Sequence, residues 1–424
     1  MMNLEEKLRE NPGVTDYRIN ICKKKSYEMF FVKEKLETVR STDTCDTSVT
    51  VYTAHDEFLG NADFFVYPST TEEQLSSLIA EAVAKARLIC NQPYALPEKE
   101  SAADTVESNF SDYTADGLAA CIANTVFRAN RMENGALNAV EVFVNRYDES
   151  ISNSRGLRKS QVRYDAMVEA IPTYNGAKQS VELYEQCNFS NLDEEALFLE
   201  IADKMDAVKA RYEAVKPDQV PACKVIMNSE ELNELFSNIA SGLRYSSVYS
   251  HMTVFEKGKP IQNAPTGDKL NITMAGNVKG SVKSSKFDKD GLTLGEMEIV
   301  HDGVAVNYYG DNRYGQYLGE KPTGLLPCVK VESGSITGKE AREGAYLEII
   351  SMSGLQVDFF SDYIGGEARL ACYHDGERNV PVTGISVSGS LGSVLNTIRL
   401  TKEKTVHGGY FGPKSAVLEN MKIF

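Results

Sequence analysis

The sequence predicts an α+β protein of two domains: strands and long helices over residues 1–216, then a strand-rich, barrel- or sandwich-like domain over residues 222–424. Three observations predict it. Apolar and polar residues alternate from Asp16 to Val66, the period of half-buried strands. Three later segments repeat apolar residues every three or four positions behind capping residues, the mark of amphipathic helices. Between the halves, Lys216-Pro217-Asp218-Gln219-Val220-Pro221 places two prolines in six residues, which stops a helix and suits a domain boundary.

Along the chain, Val49-Thr50-Val51-Tyr52 exemplifies the alternating strands. Thr70 and Glu73 have the spacing of a capping box, and Leu75, Leu78, Ile79, Ala82 and Ala86 then form one stripe able to pack on a sheet. Asn91 to Ser108 reads as a long surface connection. A second helix is expected from about Ala115 to Met132, with Leu118, Ile122, Val126 and Phe127 on one face. Strands return at Ala139–Val144 and on both sides of the turn-like Ser154-Arg155-Gly156-Leu157. The third helix opens at Asn191, with Glu194 completing a capping box, and carries Phe198, Ile201, Met205, Val208 and Tyr212 on one side. Past the proline break, Lys224–Met227 reads as a strand. Asn228 and Glu231 cap a helix through Leu232, Leu235, Phe236 and Ile239 that stops at Gly242. From about Val254 onward strands and turns dominate.

Composition narrows the function classes. With 45 basic and 60 acidic side chains the net charge is −15, which opposes broad binding to phosphate backbones, and neither Lys23-Lys24-Lys25 nor the run from Arg155 to Lys159 is long enough to act as a basic patch. Both read as solvated faces, and no nucleic-acid partner is expected. No leader-like N-terminus or membrane-length apolar run occurs, so a cytoplasmic location without membrane contact is expected. The eight cysteines contain no Cys-x-x-Cys pair and read as free thiols.

Local catalytic motifs fail on spacing or residue type. None of the five histidines, His55, His251, His301, His374 and His407, lies close enough to another for one helix turn to offer two imidazoles to a metal. Gly408 to Ser415 resembles a phosphate loop, but Pro413 precedes Lys414 and removes a needed amide. Asp288-Lys289-Asp290-Gly291 would begin a calcium loop at Lys286 and end it at Met297, so it reads as a hairpin turn. A serine nucleophile elbow is missing as well. His301 and His374 each sit at a turn beside a carboxylate and read as surface histidines. The Val406-His407-Gly408-Gly409-Tyr410-Phe411-Gly412 segment reads either as a glycine-rich turn or as a loop whose backbone approaches a ligand.

The order of the C-terminal segments is more specific than any single motif. Phe287-Asp288-Lys289-Asp290-Gly291, His301-Asp302-Gly303-Val304, Pro322-Thr323-Gly324, Gly354-Leu355-Gln356-Val357-Asp358, Ser361-Asp362-Tyr363-Ile364-Gly365-Gly366 and Val380-Pro381-Val382-Thr383 follow one another as in the TldD/PmbA family. This family is metallopeptidase-related and is also known as modulators of DNA gyrase. The resemblance extends over nearly the whole chain, although Val331-Glu332-Ser333-Gly334-Ser335-Ile336 lacks the asparagine expected before the variable loop.

In TldD-type members, His-Glu-x-x-x-His on the first helix of the C-terminal domain and a Cys-Gly near the C-terminus hold zinc and activate water. The positions matching the helix motif here are Phe236-Ser237-Asn238-Ile239-Ala240-Ser241, and His407-Gly408 matches the Cys-Gly. Phe236, Ser237 and Ser241 cannot replace two imidazoles and a glutamate base. The resemblance therefore implies a PmbA/TldE-like subunit with no catalytic residue or metal of its own. Zinc would belong to a TldD-like partner, and the oligomer would degrade or mature a peptide. His407, Gly408 and Gly409 are the candidates for lining the peptide groove. Two alternatives stay open: a regulatory protein acting on another macromolecule, and an autonomous peptidase whose ligands, such as His301, His374 and His407, converge from a distance.

Overall fold

The computed structural model describes residues 4–424. The N-terminal half comprises α1 (Leu4–Glu10), β1 (Asp16–Val32), β2 (Lys35–His55), β3 (Phe58–Val66), α2 (Glu72–Ala86), β4 (Ser101–Thr105), α3 (Ala115–Arg128), β5 (Gly135–Asn153), β6 (Arg158–Asn175), β7 (Ser180–Glu182), β8 (Glu185–Phe189) and α4 (Glu194–Glu213). Its strands form one eight-stranded sheet in the order β3-β2-β1-β5-β6-β4, with β7 and β8 also on β6. Four of these strands are much longer than the short runs legible in the sequence; β1 and β2 span 17 and 21 residues and pair along almost their full length.

The two faces of this sheet differ in kind. On one, Val49, Val51, Tyr17 and Ile19 meet Leu75, Ile79 and Ala82 of α2, while Val140, Val142, Val144 and Val168 meet α3 and α4. Burying these side chains contributes roughly 1.5–3 kcal/mol each. The alternate residues of the same strands face away from the helices, as strand geometry requires, and many are polar, with Phe143 and Met167 among them.

Local details depart from the sequence expectations. The helix at Glu72 is capped by Thr71 with Gln74, one residue beyond the Thr70/Glu73 pair, because Thr70 accepts the Tyr67 N–H and shapes the preceding turn. The α4 cap is Asp193, which accepts from Ala196; Asn191 instead accepts from the Asn109 N–H. The stripe of α4 runs through Leu197 and Ala207, leaving Phe198 beneath Arg128 and Tyr212 against Tyr174, both half-buried. The expected surface connection Asn91–Ser108 contains β4, paired in parallel with β6. The basic run at Arg155 is not wholly solvated: Lys159 is buried and ion-paired with Glu100 at 2.7 Å.

The C-terminal half continues with β9 (Lys224–Asn228), α5 (Ser229–Gly242), α6 (Tyr245–Tyr249), β10 (Ile272–Ala275), β11 (Glu296–His301), β12 (Val304–Ala305), α7 (Asn312–Leu318), β13 (Cys328–Val331), α8 (Gly338–Ala341), β14 (Tyr346–Met352), β15 (Gln356–Asp358), β16 (Tyr363–His374), β17 (Asn379–Val382), β18 (Ile385–Ser390), α9 (Leu391–Thr397), β19 (Arg399–Leu400), β20 (Lys404–His407), β21 (Tyr410–Pro413), β22 (Ser415–Leu418) and β23 (Lys422–Ile423). A six-stranded sheet, β12-β11-β10-β13-β21-β20, and a nine-stranded sheet, β19-β22-β9-β14-β16-β18-β23 with β15 and β17 on β16, share one apolar core with α5. Leu232, Leu235, Phe236 and Ile239 supply the helix's part of it.

Together the two halves form an α+β molecule, joined by polar contacts as well as by the Ile151–Leu157–Phe287 cluster. Arg18 is paired with Asp290, Gln161 donates to Ser285 (3.0 Å) and accepts the Lys286 N–H (2.8 Å), and Arg211 donates to Thr383 (3.0 Å). Asp288 does form the expected turn, accepting the N–H groups of Asp290 and Leu292, and that turn presents Asp290 to the other half. Among the described residues no helix is long and apolar enough to cross a membrane.

Candidate functional site

Helix α5, which carries the expected motif positions Phe236, Ser237 and Ser241, is held at its start by Glu231, whose carboxylate accepts the Asn228 N–H at 3.3 Å. Glu231 is almost fully buried, and desolvation pushes its carboxyl pKa up to about 7. One turn further, Phe236 is fully buried and lies parallel to Tyr410, with ring centroids 6.1 Å apart and planes 6° apart. The Tyr410 hydroxyl donates to the Pro413 carbonyl at 3.0 Å, so the ring is fixed from both ends.

Tyr410 pairs with His407 across the β20–β21 turn. Gly408 in that turn has φ +57°, the left-handed region that glycine enters without strain. Its carbonyl accepts from the Ser281 hydroxyl at 2.7 Å, and a Cβ added to it would lie 3.9 Å from Asn233 Nδ2 on α5. Gly409 accepts the Val329 N–H at 2.8 Å and packs beside the Lys283 stem. The structure thus brings together α5, the His407-Gly408-Gly409 turn and the Ser281–Lys283 loop.

Zinc does not fit the residues at this junction. Phe236 has no electron pair to give and its ring is stacked in the core; the Ser237 hydroxyl donates to Asn233 Oδ1 at 3.2 Å. Ser241 offers its backbone carbonyl to the Ser247 hydroxyl. His407 is half-buried, and its ring has no hydrogen-bond partner among the described residues. His301 is bound to Glu298 (2.8 Å), while His374 is bound to Asn379 (2.8 Å), not to a neighbouring carboxylate, and stacks on Tyr346. His301, His374 and His407 do not converge; no group of three or more metal-ligating side chains occurs among the described residues.

Beside this junction, the polar face of the N-terminal sheet floors a cavity of about 860 Å³, and Val282–Lys289 of the C-terminal half walls it. Its floor is a grid of cross-strand neighbours: Cys22, Glu149 and Gln161 in one row, Lys24, Tyr147 and Arg163 in the next, Ser26, Asn145 and Asp165 in a third. Arg163 forms a two-pronged pair with Glu149, at 3.0 and 3.1 Å, and lies 4.0 Å from the centre of the Tyr147 ring. Burial is the largest influence on the Tyr147 phenol and raises its pKa above the usual range. Asn145 gives its Nδ2 to Asp165 at 2.7 Å, which fixes the amide's orientation and leaves its buried Oδ1 with no donor among the described residues. These residues were missed in the sequence. The available signal was the run of charged or hydrogen-bonding residues at every second position, Lys24-x-Ser26, Asn145-x-Tyr147-x-Glu149 and Gln161-x-Arg163-x-Asp165.

Residues 221–424 match the model of the PmbA/TldA metallopeptidase C-terminal domain. The C-terminal half of the chain belongs to the TldD/PmbA family. Among TldD/PmbA relatives, the Metalloprotease PmbA homolog of Haemophilus influenzae is 24% identical over 208 residues. That match covers 47% of this chain and 45% of the relative, so the chain spans under half the length of the curated protein it matches. Solved structures agree over nearly the full length. TldE of Thermococcus kodakarensis superposes with a TM-score of 0.78 at 16% identity, covering 99% of this chain and 98% of that one. A Thermotoga maritima protein named as a modulator of a DNA gyrase gives 0.76 at 14% identity, covering 99% of both chains. At such identities the likeness is one of fold.

Proposed function

We propose that this chain is a metal-free, PmbA/TldE-like subunit of a TldD-type metallopeptidase complex that degrades or matures peptides. The observation that supports the reading is the Phe236–Tyr410 stack: the position that the sequence resemblance matches to an imidazole of catalytic members carries a ring buried against another aromatic side chain. In this reading the chain depends on a partner for water activation, because Phe236, Ser237 and Ser241 of α5 offer neither the paired imidazoles that hold zinc nor a base beside it. In this reading the chain encloses the peptide, with the His407-Gly408-Gly409 turn along the groove and the free edge of β20 able to pair with an extended backbone.

Co-expression with a TldD-type chain tests it. Gel filtration with light scattering should show a joint species burying at least about 1,000 Å² between the chains, and peptide cleavage should require both proteins and be lost on chelation. Cleavage by this chain alone, abolished by a chelator, would sink the proposal.

A further inference from the structure

Most charges around the 860 Å³ cavity are matched from within the protein. Arg163 is shared by Glu149 and Asp165, Arg40 is paired with Glu28, and Asp288 accepts backbone N–H groups from Asp290, Leu292 and Leu325. Lys24 and Lys283 are different. Lys24 stands on the sheet floor with its ammonium 5.7 Å from the centre of the Tyr147 ring, and Lys283 stands on the opposite wall against Gly409; neither has a carboxylate partner among the described residues. Asp46 is the lining carboxylate left without a cation. The lining balances five cations (Lys24, Arg40, Arg163, Lys283 and Lys289) against five carboxylates (Glu28, Asp46, Glu149, Asp165 and Asp288), an even count in a chain of net charge −15, and Lys289 lies by Asp290, so Lys24 and Lys283 are the cations from the two halves left to meet a ligand.

We infer that this cavity binds a carboxylate-bearing segment of a peptide, held between Lys24 on the N-terminal sheet and Lys283 on the C-terminal loop. The volume lies within the roughly 300–1,000 Å³ of specific ligand sites. Arg163, clamped by Glu149 and covered by Tyr147, is not free to compete for the anion. Lys24 reaches the carboxylate while keeping its contact with the aromatic ring. Lys283 links the site to the turn that the family places beside the metal, so a peptide anchored here runs past Gly409. The carboxylate can come from an acidic side chain or from the C-terminus. The inference rests on the peptide-handling reading above, but it is tested on this chain alone.

The experiment is fluorescence anisotropy with three labelled dodecapeptides: alternating Ala-Glu with an amidated C-terminus, alternating Ala-Gln with a free C-terminus, and alternating Ala-Gln amidated as the blank. One or both carboxylate peptides should bind more tightly than the blank. Lys24→Gln and Lys283→Gln should each weaken that binding by about ten- to a hundredfold, the worth of one charge-assisted hydrogen bond. Lys25→Gln, on the other face of β1, should change nothing. Carboxylate peptides that bind no better than the blank, or binding unchanged in both cavity variants with thermal stability intact, would overturn the inference. Failure to form a complex with a TldD-type chain would remove the subunit reading and leave this binding measurable.

Discussion

Phe236 and Tyr410, 174 positions apart in sequence, lie as parallel rings with centroids 6.1 Å apart, fully buried between α5 and the strand after the Gly408 turn. This contact makes Phe236 of α5 a packing residue. Phe236→Ala removes a large buried ring and leaves a cavity under Tyr410, so it should destabilise the protein by about 3–5 kcal/mol in denaturant unfolding. A loss below about 1 kcal/mol would show that the stack is dispensable.

Glu231 makes the start of the same helix sensitive to pH. Its folded-state carboxyl titrates at about 7 because of burial, whereas an unfolded glutamate titrates near 4.3. The folded state therefore holds the proton more tightly, and stability falls as pH rises from the unfolded value through the folded one, by up to about 3 kcal/mol. Glu231→Gln keeps an oxygen for the Asn228 N–H and removes the titration. Its melting temperature should vary less than that of the wild type between about pH 5 and about pH 8. Parallel pH profiles for the two proteins would contradict the assignment.

Arg18 and Asp290 join the halves through a pair whose side chains are each 14% exposed. Burial raises the Asp290 carboxyl pKa despite the opposing pull of Arg18. Arg18→Met strands the carboxylate and should cost about 3 kcal/mol near neutral pH. The raised folded pKa rises further without the guanidinium. The deficit should therefore shrink as pH falls towards the unfolded aspartate value near 3.9, where protonation relieves it. A deficit independent of pH would mean that lost packing, not stranded charge, is responsible.

Metal removal gives a sharper contrast. With phenylalanine and serines at the motif positions, incubation with a chelator should leave the melting temperature of the isolated chain unchanged, and metal analysis should find well under one zinc per chain. A stoichiometric zinc whose removal lowers the melting temperature would require a ligand set outside α5.

Gly408 separates backbone strain from function. At φ +57° a valine is strained even though the space for a Cβ is open, so Gly408→Val should cost about 1–2 kcal/mol and obstruct the turn. Asparagine tolerates this conformation and should cost less. Turnover by the assembled complex should fall with valine; unchanged turnover would mark the segment as a turn without a ligand. His407→Ala should leave thermal stability nearly unchanged.

The sequence by itself determined the α+β class, most positions of the helix stripes, the turn at Gly156 and the wide spacing of the histidines, because each depends on residue type and short spacing. Two helix caps were misplaced because Thr70 and Asn191 have the right chemistry but found other partners, and a local motif cannot show which donor arrives first. The β4 strand stayed hidden for a related reason: Ser101–Thr105 is short and mostly exposed, and only pairing with β6 makes it a strand. Tertiary structure alone decided that Phe236 meets Tyr410, that Asp290 reaches Arg18, and that Lys24 and Lys283 face one cavity. Side-chain alternation names the residues on one face of a strand, but what covers that face is set by chain segments hundreds of residues away, whose approach depends on the packing of both halves.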